Sequence, residues 1–189
     1  MIRRSAVVVV VLFLAAAAVL AQMPGRRREV PQPVPADAVS VDAIVAALYA
    51  SVSHAPDAMP DFERMRGIFL PVGMLIPPKR PSEDIFTTLD VDGLAERVKK
   101  STAARKEKGE PPGFVERELS RRTDCFGNVC QIFSTYESKN SASDEKPRQR
   151  GINSIQLVKD GKRWWIASVI WDVERPDNPI PASYLPPVK

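Results

Sequence analysis

Apolar positions recur at two different periods along this chain, and the change of period falls near Gly113. Val41, Ile44, Val45, Leu48, Tyr49 and Val52 return every three or four residues, which gathers them on one face of a helix N-capped by Ser40. A second helix is predicted from Pro60 or Asp61, carrying Phe62, Met65 and Phe69 and stopping before Pro71. The residue before a proline is pushed away from helical backbone by the pyrrolidine ring, which gives the stop its reason. Val72 to Ile76 reads as a short strand. Asp90 is placed to cap a third helix with Val91, Leu94 and Val98 inward and a Lys/Arg/Glu-rich outer face ending at Gly109. The basic run Lys99 to Lys108 is then a solvated face whose cations match the negative end of the helix dipole.

Past Gly113 the pattern becomes that of strands. Phe114 to Cys125 and Val129 to Lys139 flank Gly127-Asn128, and Arg150 to Lys159 and Lys162 to Glu174 flank Asp160-Gly161. Both dipeptides are hairpin turn formers, so two long hairpins are expected, joined by a polar loop from Asn140 to Gln149. Proline supports the division: Pro147 is alone between Gly113 and Arg175, while residues 56–81 hold six. Because proline removes a backbone donor, the quiet stretch is where a sheet can form. From Pro176 the tail is proline-punctuated and is expected over the surface. Helices first and a meander of antiparallel strands afterwards predict an α+β domain.

The region before Ser40 has a different character. Residues 1–21 read as a cleavable signal peptide: Arg3 and Arg4 are followed by an uncharged stretch from Ala6 to Leu20, and Val19-Leu20-Ala21 offers a cleavage site before Gln22. The apolar run is shorter than the roughly 18 residues of a membrane span. The expected location is periplasmic or secreted, with no stable membrane anchor once the leader is removed. Residues 22–36 hold four of the 18 prolines and the run Arg26-Arg27-Arg28, the composition of an extended, solvated linker. A single folded domain is expected over residues 37–189.

Composition narrows the chemistry. The 189 residues are 44% hydrophobic and 26% charged, as in folded globular proteins. The 27 Lys and Arg exceed 23 Asp and Glu by four, and without Arg3 and Arg4 by two, too little to suggest nucleic-acid binding. Two Cys and one His cannot build a four-ligand zinc site of the usual kind, and no Walker phosphate loop, G-x-G-x-x-G or G-x-S-x-G is present. Neither a metal nor a cofactor is expected. If Gly127-Asn128 is the turn, Cys125 lies directly opposite Cys130, in a non-hydrogen-bonded pair with Cα atoms about 4.5 Å apart. An oxidising exported location makes a disulfide there the expectation.

The strand region carries a recognisable pattern. Gly113-Phe114 with Glu116 and Glu118, Phe126-Gly127-Asn128-Val129, Phe133-Ser134-Thr135-Tyr136-Glu137, Gly151 to Leu157, Arg163-Trp164-Trp165-Ile166, Trp171-Asp172 and the closing Ile180-Pro181 and Tyr184-Leu185 resemble the nuclear transport factor 2-like (SnoaL-like) superfamily. The pattern is similar to that of exported, largely uncharacterised bacterial members, over roughly residues 38–186. The resemblance implies a cone, in which a curved antiparallel sheet wraps around N-terminal helices and leaves a cavity. Enzymes of isomerase, dehydratase and cyclase types share that superfamily with non-catalytic binding modules, so fold leaves function open.

Strand parity proposes the site. Pairing around Asp160-Gly161 puts Asn153, Ile155 and Leu157 on one face with Trp164, Ile166, Ser168, Ile170 and Asp172. The family's pattern of Trp followed two residues later by Ile makes that face the interior. Asn153, Ser168 and Asp172 are then the inward polar groups, joined by Tyr136 from the preceding hairpin. The opposite face, with Trp165, Val169 and Trp171, is apolar enough to meet a second copy, so a homodimer is expected. Glu116, Glu118 and Glu137 are expected on a solvated or subunit-contacting face with Arg117, Arg121 and Arg122, and His54 in the turn after the first helix. Three readings follow: binding of a small apolar or amphipathic molecule, an enzyme with Asp172 as acid/base and Tyr136 or Asn153 as its partner, or a protein-interaction module.

Overall fold

The computed structural model describes residues 31–56, 58–109 and 113–187, so the leader expected at 1–21 and the linker as far as residue 30 lie outside the described residues. Along the chain come helices α1 (Val41–Val52) and α2 (Phe62–Ile68), strand β1 (Phe69–Ile76) and helix α3 (Val91–Glu107). Strands β2 (Val115–Phe126), β3 (Val129–Lys139), β4 (Gln149–Lys159) and β5 (Trp164–Val173) follow. Each helix begins on a side-chain cap: Ser40 Oγ accepts from the Ala43 amide at 3.1 Å, Asp61 from Arg64 at 2.9 Å and Asp90 from Gly93 at 2.8 Å. These bonds satisfy amides that helical geometry leaves without partners, which is why the caps locate the starts so closely.

The strands form one sheet in the order β1-β5-β4-β3-β2. The three helices pack on one of its faces. Ile44, Val45 and Leu48 from α1, and Met65 and Ile68 from α2, meet Ile132, Ile155, Leu157 and Ile166 in a core shut off from solvent. Two expectations about the middle of the chain are corrected. Phe69 does not close the second helix but opens β1, and β1 is longer than Val72–Ile76 and runs parallel to β5, making the sheet mixed. As an edge strand β1 tolerates Pro71, which has no amide to donate to a neighbour. The second hairpin closes through residues 160–163, with Lys159 facing Trp164, because the Asp160 carboxylate accepts from the Lys162 and Arg163 amides at 2.9 Å each. Gly127 and Gly161 take positive φ values of 57° and 90° in the two turns, where a side chain would be strained.

Two β-bulges set which side chains face the helices. In β2 the register slips between Glu118, opposite Tyr136, and Ser120, opposite Thr135, with Leu119 as the extra residue. In β5 it slips around Ala167, so that Leu157 faces Ile166 while Gln156 faces Ser168. One extra residue reverses the alternation of every residue beyond it. The inward expectation for Ser168 and Asp172 is therefore corrected: past the bulge Val169 and Trp171 turn to the helices, while Ser168, Ile170 and Asp172 turn outward. The same slip removes Trp171 from the proposed outer apolar face.

Cys125 and Cys130 form a disulfide across the first hairpin, with Cα atoms 4.2 Å apart. On the outer face the tail folds back over β2 and β3. The Tyr184 carbonyl accepts from Ser120 Oγ and from Thr135 Oγ1, the latter at 2.7 Å, while its ring lies under the Arg122 guanidinium.

Candidate functional site

Between the helices and the inner face of the sheet lies a cavity of about 410 Å³, within the range of small-molecule sites. Its apolar wall comes from Leu48 and Val52 of α1, Phe62 and Met65 of α2, Leu75 of β1, Leu94 and Val98 of α3, and Val169 and Trp171 of β5. Glu116, Tyr136 and Asn153 interrupt that wall from three adjacent strands. His54 and Phe114 border it, and Arg97, Arg105 and Arg148 are also among its lining residues.

Glu116 reaches the cavity through two local devices. The bulge at Leu119 places it opposite Ser138, on the inner face shared with Ser134 and Tyr136. The end of α1 then holds the start of β2: Ser53 Oγ accepts from the Glu116 amide at 3.0 Å, and His54 and Phe114 exchange backbone hydrogen bonds of 2.6 and 3.0 Å. The carboxylate keeps some surface open to the cavity, but protein surrounds it otherwise.

A hydrogen-bond chain runs from Glu116 across the inner face. Asn153 Nδ2 donates to Glu116 Oε1 at 3.3 Å and to the Tyr49 hydroxyl at 3.1 Å. Tyr49 and Ser134 hydroxyls lie 2.7 Å apart, and Ser134 donates to Glu118. Since the Ser134 proton goes to a carboxylate, Tyr49 must donate to Ser134, which leaves the Tyr49 oxygen free to accept from Asn153. The two acids in this chain differ in their compensation. Glu118 is paired with Arg121 at 2.8 Å, whereas Glu116 receives a single amide bond. Burial consequently pushes the Glu116 carboxyl up to about 7 against the opposing pull of Asn153. Burial also raises the phenol of Tyr49, which its bonds to Ser134 and Asn153 oppose. Tyr136 is raised by burial too, and its hydroxyl has no hydrogen-bond partner among the described residues.

Gly151 makes room for that hydroxyl. A Cβ at this position would stand 2.7 Å from the Tyr136 oxygen and 2.3 Å from the Asp172 carbonyl, closer than any side chain allows.

Of the residues singled out from the sequence, Tyr136 and Asn153 line the cavity together. Ser168 and Asp172 are on the other side of the sheet. The Asp172 carboxylate accepts from Arg175 at 2.7 Å and from Asn178 at 3.2 Å, and Arg175 holds it below the usual carboxylate range. Glu116, Tyr49 and Trp171 were not anticipated. Glu137 is also buried on the outer face, bonded to Arg117 at 2.7 Å. A pattern signal for Glu116 existed in its two-residue spacing from Glu118, but only a bulge sends that pair inward. Among the described residues no group of three or more His, Cys, Asp or Glu is arranged to hold a metal ion.

Solved structures supply the comparison. The chain is similar to the beta subunit of benzoate 1,2-dioxygenase from Burkholderia mallei, at 14% identity and a TM-score of 0.51, over 78% of this chain and 98% of that one. The fold is nuclear transport factor 2-like. Similar too are NTF2-like proteins of unknown function from Shewanella baltica and Methylobacillus flagellatus. The first is 17% identical with a TM-score of 0.44, over 71% of this chain and 93% of that one. The second is 15% identical with a TM-score of 0.43, over 72% of this chain and 96% of that one. No protein-family model matches the chain, and no curated protein matches it in sequence. At such identities the likeness speaks for architecture, and the site must be argued from its own residues.

Proposed function

We propose that this nuclear transport factor 2-like domain binds a small amphipathic molecule in the cavity, against an apolar wall that includes Trp171 and a polar patch of Glu116, Asn153 and Tyr136. The Tyr136 hydroxyl carries the reading. It opens on the cavity with no hydrogen-bond partner among the described residues, so it is free to bond an atom placed there. A ligand oxygen or amide there gives Tyr136 a partner and Glu116 a second one beside Asn153. Native mass spectrometry of the purified protein tests this: the expected result is an adduct lost on collisional activation and absent from Trp171→Arg. A bare protein whose melting temperature no amphipathic compound raises overturns it.

A second reading rests on Glu116. A carboxyl titrating at about 7 is divided between acid and base at neutral pH, the state required for proton transfer. An acid/base role passes to Glu116 from Asp172, which is exposed and held charged by Arg175. Turnover of a carbonyl or hydroxyl compound by the wild type and not by Glu116→Gln is the expected signature, and equal turnover by both removes it.

We also infer export and self-association. The leader-like segment of residues 1–21 and the Cys125–Cys130 bond support export, and among the described residues no helix is long and apolar enough to cross a membrane. Exposed Met74, Phe133 and Ile170 on the outer sheet face support a homodimer through that face, in place of one through Trp171. A monomer by analytical ultracentrifugation removes the dimer.

A further inference from the structure

Apart from Arg97 and Arg148, the described arginines have partners for their side chains. Arg64, Arg66, Arg80, Arg117, Arg121, Arg150 and Arg175 each pair with a carboxylate within 4.0 Å. Arg122 covers the Tyr184 ring, Arg163 donates to the Gly67 carbonyl at 2.7 Å, and Arg105 reaches the Asn140 side chain at 3.4 Å. Arg97 and Arg148 have no side-chain hydrogen bond, ion pair or ring contact among the described residues, and both line the cavity. A domain that pairs its other described guanidinium groups leaves two lining the cavity between helices and sheet.

The placement is specific. Arg97, Ser101 and Arg105 follow one another at four-residue intervals along α3, so they share a helix face, and all three line the cavity. Arg148 comes from the loop entering β4 and lines the same cavity. Against these three cations the cavity offers one carboxylate, Glu116. Among the described residues no arginine pairs with it, and its carboxylate accepts instead from Asn153 at 3.3 Å. A guanidinium presents a planar fork of donors that matches a carboxylate or sulfonate, and it is the less hydrated of the two basic side chains.

Resting on the proposed small-molecule site, we propose that its occupant is an amphipathic anion. The apolar body lies against Leu48, Met65, Val169 and Trp171, and the carboxylate- or sulfonate-type end sits at the arginine side formed by Arg97, Arg105 and Arg148. The opposite charge is disfavoured there by three like charges. A neutral molecule of the same shape leaves Arg97 and Arg148 without a charged partner and gains only the apolar contacts.

Isothermal titration calorimetry with three ten-carbon probes of different charge tests the inference: decanoate, 1-decanol and decyltrimethylammonium, at pH 8. Decanoate is expected to bind at least about tenfold more tightly than either of the others, the scale of one charge-assisted hydrogen bond. Arg97→Gln and Arg148→Gln should each weaken decanoate by about tenfold while leaving decanol within about twofold, with Arg97→Lys intermediate. Equal affinity for decanoate and decanol, or arginine variants that weaken both alike, overturns the anion while leaving the cavity as a binding site. Failure of all three probes to bind overturns the binding site and the anion together.

Discussion

Asn153 donates through one amide nitrogen to both the Glu116 carboxylate, at 3.3 Å, and the Tyr49 hydroxyl, at 3.1 Å. That nitrogen joins the floor of the cavity to the buried face of α1. Among the described residues it is also the side-chain donor that opposes the burial of Glu116. Asn153→Leu keeps the approximate volume and removes the donor. The Glu116 carboxyl should then titrate higher than about 7, read by carboxyl-carbon NMR, and stability should fall by about 1–3 kcal/mol as buried oxygens lose a partner. An unmoved titration would mean that solvent in the cavity, rather than Asn153, stabilises the charge.

Glu116 also makes stability depend on pH. Its proton is held more tightly in the fold, at about 7, than in the unfolded chain, at 4.5. Between those values the native state binds the extra proton, so this group lowers stability as pH rises from 4.5 to about 7, and the loss is complete above that. Glu116→Gln cannot lose a proton. Relative to wild type it should gain on the order of 3 kcal/mol at pH 8 compared with its standing at pH 4. Urea denaturation of both proteins at the two pH values checks this, and a difference that does not change with pH would contradict the burial of the charge.

Gly151→Ala should be among the most damaging small changes. The added carbon meets the Asp172 carbonyl at 2.3 Å, and backbone cannot swing aside as a side-chain tip can. A loss of about 3 kcal/mol or more, or failure to fold, is expected. A melting temperature within a degree or two of wild type would show that β4 and β5 can separate there at little cost.

Asp172→Asn should leave ligand binding unchanged, because the side chain bonds Arg175 and Asn178 on the outer face. Its stability effect should stay below about 1 kcal/mol, as for exposed ion pairs. Loss of ligand affinity in this variant, with the fold intact by circular dichroism, would return the site to the face opposite the cavity.

Reducing the Cys125–Cys130 bond should have a modest effect. It spans a sequence separation of 5, so the loop it closes is short and the stabilisation from restricting the unfolded chain is about 2 kcal/mol. A Cys125→Ser, Cys130→Ser double variant should therefore still fold, with a lower midpoint in urea. Complete unfolding would mean that the bond also holds packing around Cys130, which is buried.

Local rules carried much of the architecture. Ser40, Asp61 and Asp90 cap their helices because each side chain needs only the backbone three residues ahead. The Gly127 turn set the first hairpin's register near its tip, and with it the Cys125–Cys130 pairing. Tyr136 and Asn153 were legible as cavity residues because β3 and β4 pair without interruption from Val129 to Ser138. Alternation counted along such a ladder stays true.

Beyond the bulges it does not. Leu119 and Ala167 look like ordinary strand residues, yet the slip at one turns Glu116 inward and the slip at the other turns Asp172 outward. A bulge is chosen by how a sheet must curve and twist to cover its helices, a condition set by all the strands together. So too with Arg97 and Arg148, which come from a helix and a loop far apart in the chain. Residue order alone established the α+β class, the helix starts and the disulfide pair. Only the closed tertiary structure decided which carboxylate meets the cavity, because burial belongs to the assembled sheet and not to any one strand.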